Sequence, residues 1–374
     1  MEDDIYKKIS KQLLLEDCQS VFSLFEQIKN ENYSPIFILQ AVTYLSFLCD
    51  GILDFYNIKY VGEINVKEES IKKIINDMRI KVKLYSEDNA KPKKSMENLE
   101  KIHLDFYNSF KKSYDNANPV FKLIGLIKLY DFGTYSISGK YIGNTYLDYW
   151  YLNKILGVEE IGTEKCKENV ILFSMGLGYI LKFVCDKEHI SKKIFDLNTE
   201  IKIQSKDFLL MSNSTKIFND KYYKYSSLLL FNIICSINFI IYFLDKVLPK
   251  DNQFYFRVKF ICYYSSISSL RKLVNYVDNN HTIKTGIENY IKEIKKLEEF
   301  KKSLGEESKL RNCLLHYKID EKCINKEEIL LNEPFYGLIN KYTGRDYCTF
   351  NHQLDDNLKN ISLMLEKWIL NEHR

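Results

Sequence analysis

Apolar residues recur at helical spacing along most of the chain. Ile71, Ile74, Ile75, Met78 and Val82 are separated mostly by polar residues and would lie on one face of an α-helix. The same spacing predicts helices over about 3–30, 66–88, 94–114, 163–186, 221–248, 252–279, 283–304 and 353–372. The pattern therefore predicts an all-α protein.

Prolines and glycines indicate where the helices begin and where the chain turns. Ser34-Pro35 and Asn118-Pro119 each combine a capping residue with a proline suited to the first helical turn, and each precedes an apolar run. Glycines cluster between 133 and 143, which predicts a loop with room for a short hairpin. The stretch 318–350 carries Pro334 between short apolar pieces, and we expect an irregular arm there.

The helical pattern weakens in the middle of the chain. Polar residues cluster between about 196 and 220, which favours a domain boundary near residue 200. We therefore expect a helical domain over 1–200, with a sensing or regulatory role, and a second helical domain over 201–374.

One apolar segment is long enough to cross a membrane. Residues 225–244 contain no charged side chain, and about twenty such residues are what a spanning helix requires. Asn232 and Asn238 interrupt the segment, and amphipathic segments on both sides need a core to pack against. We favour a buried core helix, with a membrane-tethered effector as the less favoured alternative.

Composition narrows the class of protein further. The chain has 374 residues, is 45% hydrophobic and carries a net charge of only +4, which indicates a globular protein with any contact to nucleic acid confined to a local patch. Nine scattered cysteines without a C-x-x-C pair, and an acidic N-terminus, indicate reduced thiols and a cytoplasmic location. No cofactor or metal site is predicted, because no set of ligands occurs at zinc spacing.

The segment whose side chains are best suited to catalysis is Arg311-Asn312-Cys313-Leu314-Leu315-His316. It has an arginine and a histidine with four residues between them. Arginine offers a permanent planar cation that suits phosphate, and histidine can give or take a proton near neutral pH. On a helix these two residues are five apart and turned by about 140°, so they meet only if the arginine curls back or the helix starts within the motif. Gly305 offers a break just upstream, which would place the polar groups at a helix start that favours anions.

This motif resembles the R-x4-6-H motif of the HEPN superfamily, in the version with a polar residue after the arginine. The resemblance implies a bundle of four or five helices, so that the C-terminal domain would be a HEPN-like helical bundle. It also implies that two copies pair and that both motifs meet in a cleft that cuts RNA without a metal. Many members act in toxin-antitoxin or anti-phage abortive-infection systems, and others have lost activity.

The resemblance assigns roles to particular residues. His316 would act as general base or acid, Arg311 would stabilise the charge on the phosphate, and Asn312 would orient either group. Three neighbouring side chains would grip the RNA backbone or a base: Lys309, Tyr317 and Lys318.

The expectation is therefore a homodimeric, metal-independent endoribonuclease, with an RNA substrate and an antitoxin or defence-system partner. Besides the membrane-tethered effector, two alternatives remain open. The first is a catalytically silent helical module that binds RNA or a protein. The second is a chance motif, with Arg311 paired to Glu306 or Glu307 and His316 satisfied inside the fold.

Overall fold

The computed structural model of the protein describes residues 4–56, 58, 132–156, 164–196, 200–208, 223–279, 288–303 and 307–369, with single positions at 72, 75, 76, 78, 79, 97, 100, 101 and 104. The helix predicted after Asn118-Pro119 lies outside these residues, as do most of the helices predicted over 66–88 and 94–114.

Helices make up 75% of the described residues, so the prediction of a mainly helical protein is confirmed. The helices are α1 Asp4–Ile28, α2 Ser34–Tyr56, α3 Thr145–Leu156, α4 Glu164–Lys187, α5 Tyr223–Asn238, α6 Gln253–Asn279, α7 Glu288–Ser303, α8 Glu307–His316, α9 Leu338–Thr343 and α10 Tyr347–Ile369. The second of them begins at Ser34, where the Ser34-Pro35 pair predicts a helix start. The predicted arm over 318–350 is irregular up to residue 346, apart from two 3-10 turns and the six-residue helix α9, and its last residues belong to α10, which begins at Tyr347.

A small antiparallel sheet departs from the all-α prediction. Its strands are β1 Phe132–Ile137, β2 Lys140–Asn144 and β3 Ile203–Phe208, in the order β2-β1-β3. Strands β1 and β2 form the short hairpin that the glycine-rich stretch 133–143 was expected to allow. Ser138 and Gly139 turn it with positive φ angles of 49° and 79°, as a two-residue hairpin turn requires.

The predicted boundary near residue 200 does not divide the core among the described residues. In the sheet, Ile137 pairs with Ile203 across that position. The hydrophobic core is one cluster that includes residues from α1 and α2 as well as from α6, α8 and α10. Because β1 and β3 belong to the same sheet, described residues on the two sides of position 200 pack together.

The apolar segment 225–244 lies in the core. It forms α5 and continues as a π-helical stretch, Phe239–Leu244. Its two asparagines are buried and hydrogen-bonded, Asn232 accepting from the Asn144 amide at 3.0 Å and Asn238 accepting from the Ser362 hydroxyl at 2.6 Å. These bonds explain how polar side chains are accommodated inside an apolar segment.

Among the described residues, two helices are long and apolar enough to cross a membrane. They are α2 and the stretch Ser226–Val247, and 78% and 94% of their apolar windows are buried inside the protein. Core helices of this kind meet the same criteria as spanning helices.

Candidate functional site

The motif lies on α8, which packs one face into the core. Leu310, Cys313 and Leu314 are buried, and Leu315 is only 7% exposed. His316 is the last residue of the helix, so the expectation that the polar groups sit at a helix start is wrong. The helix dipole at this end favours cations rather than anions, and any anion site here must obtain its positive charge from side chains.

His316 contacts an arginine that the sequence analysis did not single out. Its Nδ1 atom lies 3.1 Å from Nη1 of Arg79, which in turn donates to Asp50 at 2.5 Å and, through Nη2, to Asn76 at 2.7 Å. A guanidinium can only donate, so Nδ1 accepts and a neutral His316 carries its proton on Nε2. Asp50 lies on α2, so this contact ties the motif helix to the N-terminal part of the chain.

The surroundings of His316 strongly favour its neutral form. Burial and the nearby charges of Arg79, Lys318 and Arg311 lower its pKa to about 4, against a smaller opposing effect of Asp54. His316 is only half-buried. The result is a partly exposed neutral imidazole within the field of three cations.

Arg311 and Asn312 bind each other rather than His316. The Arg311 Nη2 and Nε atoms donate to the Asn312 side-chain oxygen at 3.0 and 3.3 Å, and the guanidinium lies 5.2 Å from the ring centroid of Tyr264. The arginine thus has a partner on the surface of α6, and it acts on His316 through its charge.

The three residues expected to grip RNA differ in their surroundings. Lys309 is exposed. Lys318 is also exposed and forms an ion pair with Asp54 at 2.9 Å, a contact of the kind that an incoming phosphate can displace. Tyr317 has no exposed surface, so its predicted role at the RNA was wrong.

Tyr317 belongs instead to a buried polar cluster beneath the motif. Its hydroxyl donates to Asp17 at 2.7 Å, and Arg257 donates from Nε to the same carboxylate oxygen at 2.6 Å. Arg257 also lies over the Tyr317 ring, 4.2 Å from its centroid, and donates from Nη1 to the carbonyl oxygen of Leu314. Burial lowers the pKa of Arg257, but the charge and hydrogen bond of Asp17, together with the effects of Tyr317 and Glu16, outweigh it and raise that pKa. Burial raises the pKa of Asp17, and the contacts with Arg257 and Tyr317 oppose this rise and favour the charged carboxylate.

This cluster fixes the end of α8. The Leu314 carbonyl is one of the last four in the helix and has no N–H donor within the helix, so the buried guanidinium of Arg257 donates to it instead. Tyr317 adopts a positive φ of 50°, which turns the chain sharply after His316. The position of the imidazole is therefore set by buried contacts with α1 and α6.

Gly51 leaves the space that the Tyr317 ring occupies. A Cβ atom at this position would lie 2.6 Å from Cδ2 of Tyr317 and 3.1 Å from Cδ1 of Leu14. We expect Gly51→Ala to lower the free energy of unfolding by about 1–3 kcal/mol, because a buried ring on a constrained backbone must move. Urea denaturation followed by circular dichroism measures this change.

Gly176 provides a matched control on α4. It is also a helical glycine, but no described heavy atom lies within 4 Å of a Cβ placed there. Gly176→Ala should leave stability unchanged or raise it by up to about 1 kcal/mol, from helix propensity alone. Equal effects of the two substitutions would contradict the close contact between Gly51 and Tyr317.

Neither metal-ligand chemistry nor similarity to known proteins gives further information about the role of this site. Within the described part of the chain, no group of three or more His, Cys, Asp or Glu side chains could hold a metal ion. Compared with protein-family models, curated proteins and solved structures, the chain gives no match.

Proposed function

We propose that the protein binds RNA at the cluster around His316 and cleaves it as a metal-independent endoribonuclease of the HEPN type. The single observation that carries the proposal is the convergence of three cations, Arg79, Arg311 and Lys318, on one half-buried neutral imidazole. Asp50 pairs with Arg79 and Asp54 pairs with Lys318, so one of the three positive charges has no matching carboxylate in these ion pairs. A phosphodiester would supply the remaining negative charge and could displace the exposed Asp54 pair.

The electrostatics suggest how substrate would prepare the histidine. A bound phosphate would offset the three cations, and the pKa of His316 would rise from about 4. Arg79 would exchange its contact with Nδ1 for the phosphate, which frees the lone pair that a general base needs. His316 could then take the proton of the ribose 2′-hydroxyl, which attacks the adjacent phosphorus and expels the 5′-oxygen of the next nucleotide.

The leaving oxygen needs a proton from a second group. In a homodimer of the HEPN type, the second copy's motif would supply this acid, with Arg311 and Asn312 positioned at the phosphate between the copies. The proposal includes a cytoplasmic role in a toxin or anti-phage defence system, with an antitoxin or defence-system protein as partner.

The test is cleavage of a labelled RNA in the presence of a chelator. We expect products with 2′,3′-cyclic phosphate ends, and we expect His316→Ala to remove at least 99% of the activity, as loss of a general base does. His352→Ala is the matched control, because His352 is exposed on α10, and it should cleave like the unmodified protein. Circular dichroism of each variant checks that the helices remain.

Either of two results would end the proposal. One is the absence of cleavage across a range of structured and single-stranded RNAs under conditions where RNA binds. The other is cleavage by His316→Ala at the rate of the unmodified protein.

One observation favours the second candidate function, a silent module that binds RNA. The Nδ1 lone pair of His316 is occupied by Arg79, as in a structural histidine with a satisfied ring. A silent binder would retain RNA affinity after His316→Ala but lose it after Lys318→Ala or Arg311→Ala, with no cleavage in any case. A gel-shift titration of the three variants separates the two functions.

A further inference from the structure

A cleft apart from the cluster around His316 lies between α1, the segment that follows α4 and the start of α6. Its volume is about 700 Å³, which is enough for a small organic molecule. It shares no lining residue with the cluster around His316. The proposed RNA site makes no use of it.

The lining of this cleft presents hydrogen-bond acceptors. Glu16 accepts from Gln12 at 3.0 Å on one carboxylate oxygen and from Gln253 on the other, so each oxygen has room for a second donor. The side-chain oxygen of Gln253 is buried and has no hydrogen-bond partner among the described residues. A buried acceptor without a donor carries a free-energy cost, and a ligand N–H group would remove this cost once the Gln253 side chain turns its oxygen toward the cleft.

The charges in the cleft also favour a cation. Glu16 and Asp251 supply two carboxylates, and Lys193 supplies the one ammonium group among the lining residues. Burial raises the pKa of Glu16, although hydrogen bonds from Gln12 and Gln253 and the charge of Lys193 oppose this rise. An additional ammonium group beside Glu16 would stabilise its charged form.

Three lining residues are apolar, beside the polar side chains of Gln12, Gln19, Ser20 and Asn252. Ile194 is 92% exposed, and Phe195 and Pro249 line the cleft with it. An exposed isoleucine next to acceptors matches a ligand with a methylene chain and polar ends, because the chain covers apolar surface while the ends form hydrogen bonds.

We propose that this cleft binds a small aliphatic diamine. One ammonium group donates to Glu16 and to the unpartnered oxygen of Gln253, the methylene chain packs on Ile194 and Pro249, and the second ammonium group lies near Asp251. The proposal is independent of RNA cleavage and is tested by diamine binding alone.

The test is calorimetric titration of the full-length protein with 1,4-diaminobutane at fixed ionic strength. We expect one saturable site. The neutral analogue 1,4-butanediol has the same methylene chain without the charges, and it should give no saturable heat. A lack of saturation with the diamine, or equal binding of the diol, would overturn the proposal.

Charge-matched variants locate the site. Glu16→Gln should weaken diamine binding about tenfold or more, as expected for loss of a charge-assisted hydrogen bond. Glu299→Gln removes the same charge from an exposed position on α7 that does not line the cleft, and affinity should stay within about twofold. Equal weakening by both substitutions would show nonspecific attraction and refute the site.

Two further variants make the test robust. Asp251→Asn changes an exposed residue and should also weaken binding, which provides a second measurement if Glu16→Gln fails to fold. His316→Ala should bind the diamine like the unmodified protein, so that failure of the diamine site and failure of the nuclease proposal are separate results. Unchanged affinity in a folded Asp251→Asn variant together with unchanged affinity in Glu16→Gln would reject this cleft as the binding site.

Discussion

Replacing Asp17 with leucine should lower the free energy of unfolding by about 3–5 kcal/mol, because the substitution leaves Arg257 as an unpaired buried charge. Both side chains of this ion pair are almost fully inaccessible, at 0% for Asp17 and 1% for Arg257. The Tyr317 hydroxyl would lose its acceptor in the same step. Urea denaturation at neutral pH measures the loss.

Two companion variants show whether the cost comes from the buried charge. Asp17→Leu combined with Arg257→Met removes both charges and should recover about half of the loss or more. Glu26→Leu breaks the exposed pair with Lys192, where the ions are 2.5 Å apart, and should cost about 1 kcal/mol or less. A cost below about 1 kcal/mol for Asp17→Leu itself would show that the buried cluster does not stabilise the end of α8.

Replacing Arg79 with glutamine should change both the titration of His316 and the proposed cleavage. Burial is the largest cause of the depressed pKa of His316, and Arg79 is the next. Removing this cation makes the imidazolium less unfavourable, so the pKa should rise from about 4 toward the ordinary value of 6.5 without reaching it. Proton NMR of the histidine ring across pH 3 to 8 measures the shift.

The same substitution removes a donor that the proposed mechanism places at the phosphate. We expect kcat/KM for RNA cleavage to fall about 100-fold, as for loss of one charge-stabilising donor. Arg271→Gln is the matched control, because Arg271 is a half-exposed arginine on α6 paired with Glu298, and it should leave both readouts unchanged. An unaltered pKa of His316 in Arg79→Gln would show that the two side chains do not meet in solution, whatever the rate of cleavage.

The sequence predicted most of the described helices but missed helix α3 and one strand. Ser34-Pro35 locates the start of α2, and the glycines near 139 locate the turn of the hairpin. Strand β3 gave no signal, because its four central residues are exposed and do not alternate between apolar and polar. Its pairing with β1 depends on backbone hydrogen bonds, and backbone groups are the same in every residue.

The candidate site was predictable only in part. The motif indicated His316, and the leucines predicted which face of α8 packs inward. Arg79 went unnoticed because it lies 237 positions from His316 and in no motif. Tyr317 was misjudged because an aromatic residue beside a motif gives no sign of its burial, and the positive φ that turns its ring inward is rare for such a residue.

By itself, the sequence determined a mainly helical protein with a long uncharged apolar segment and one histidine-containing motif, because apolar periodicity and residue chemistry are local properties. The tertiary structure alone decided that one core spans both halves of the chain, that Arg79 rather than Arg311 contacts His316, and that a buried ion pair supports the end of the motif helix. These features depend on which distant residues share a surface. Such contacts follow from the packing of whole helices, and no short stretch of the chain encodes them.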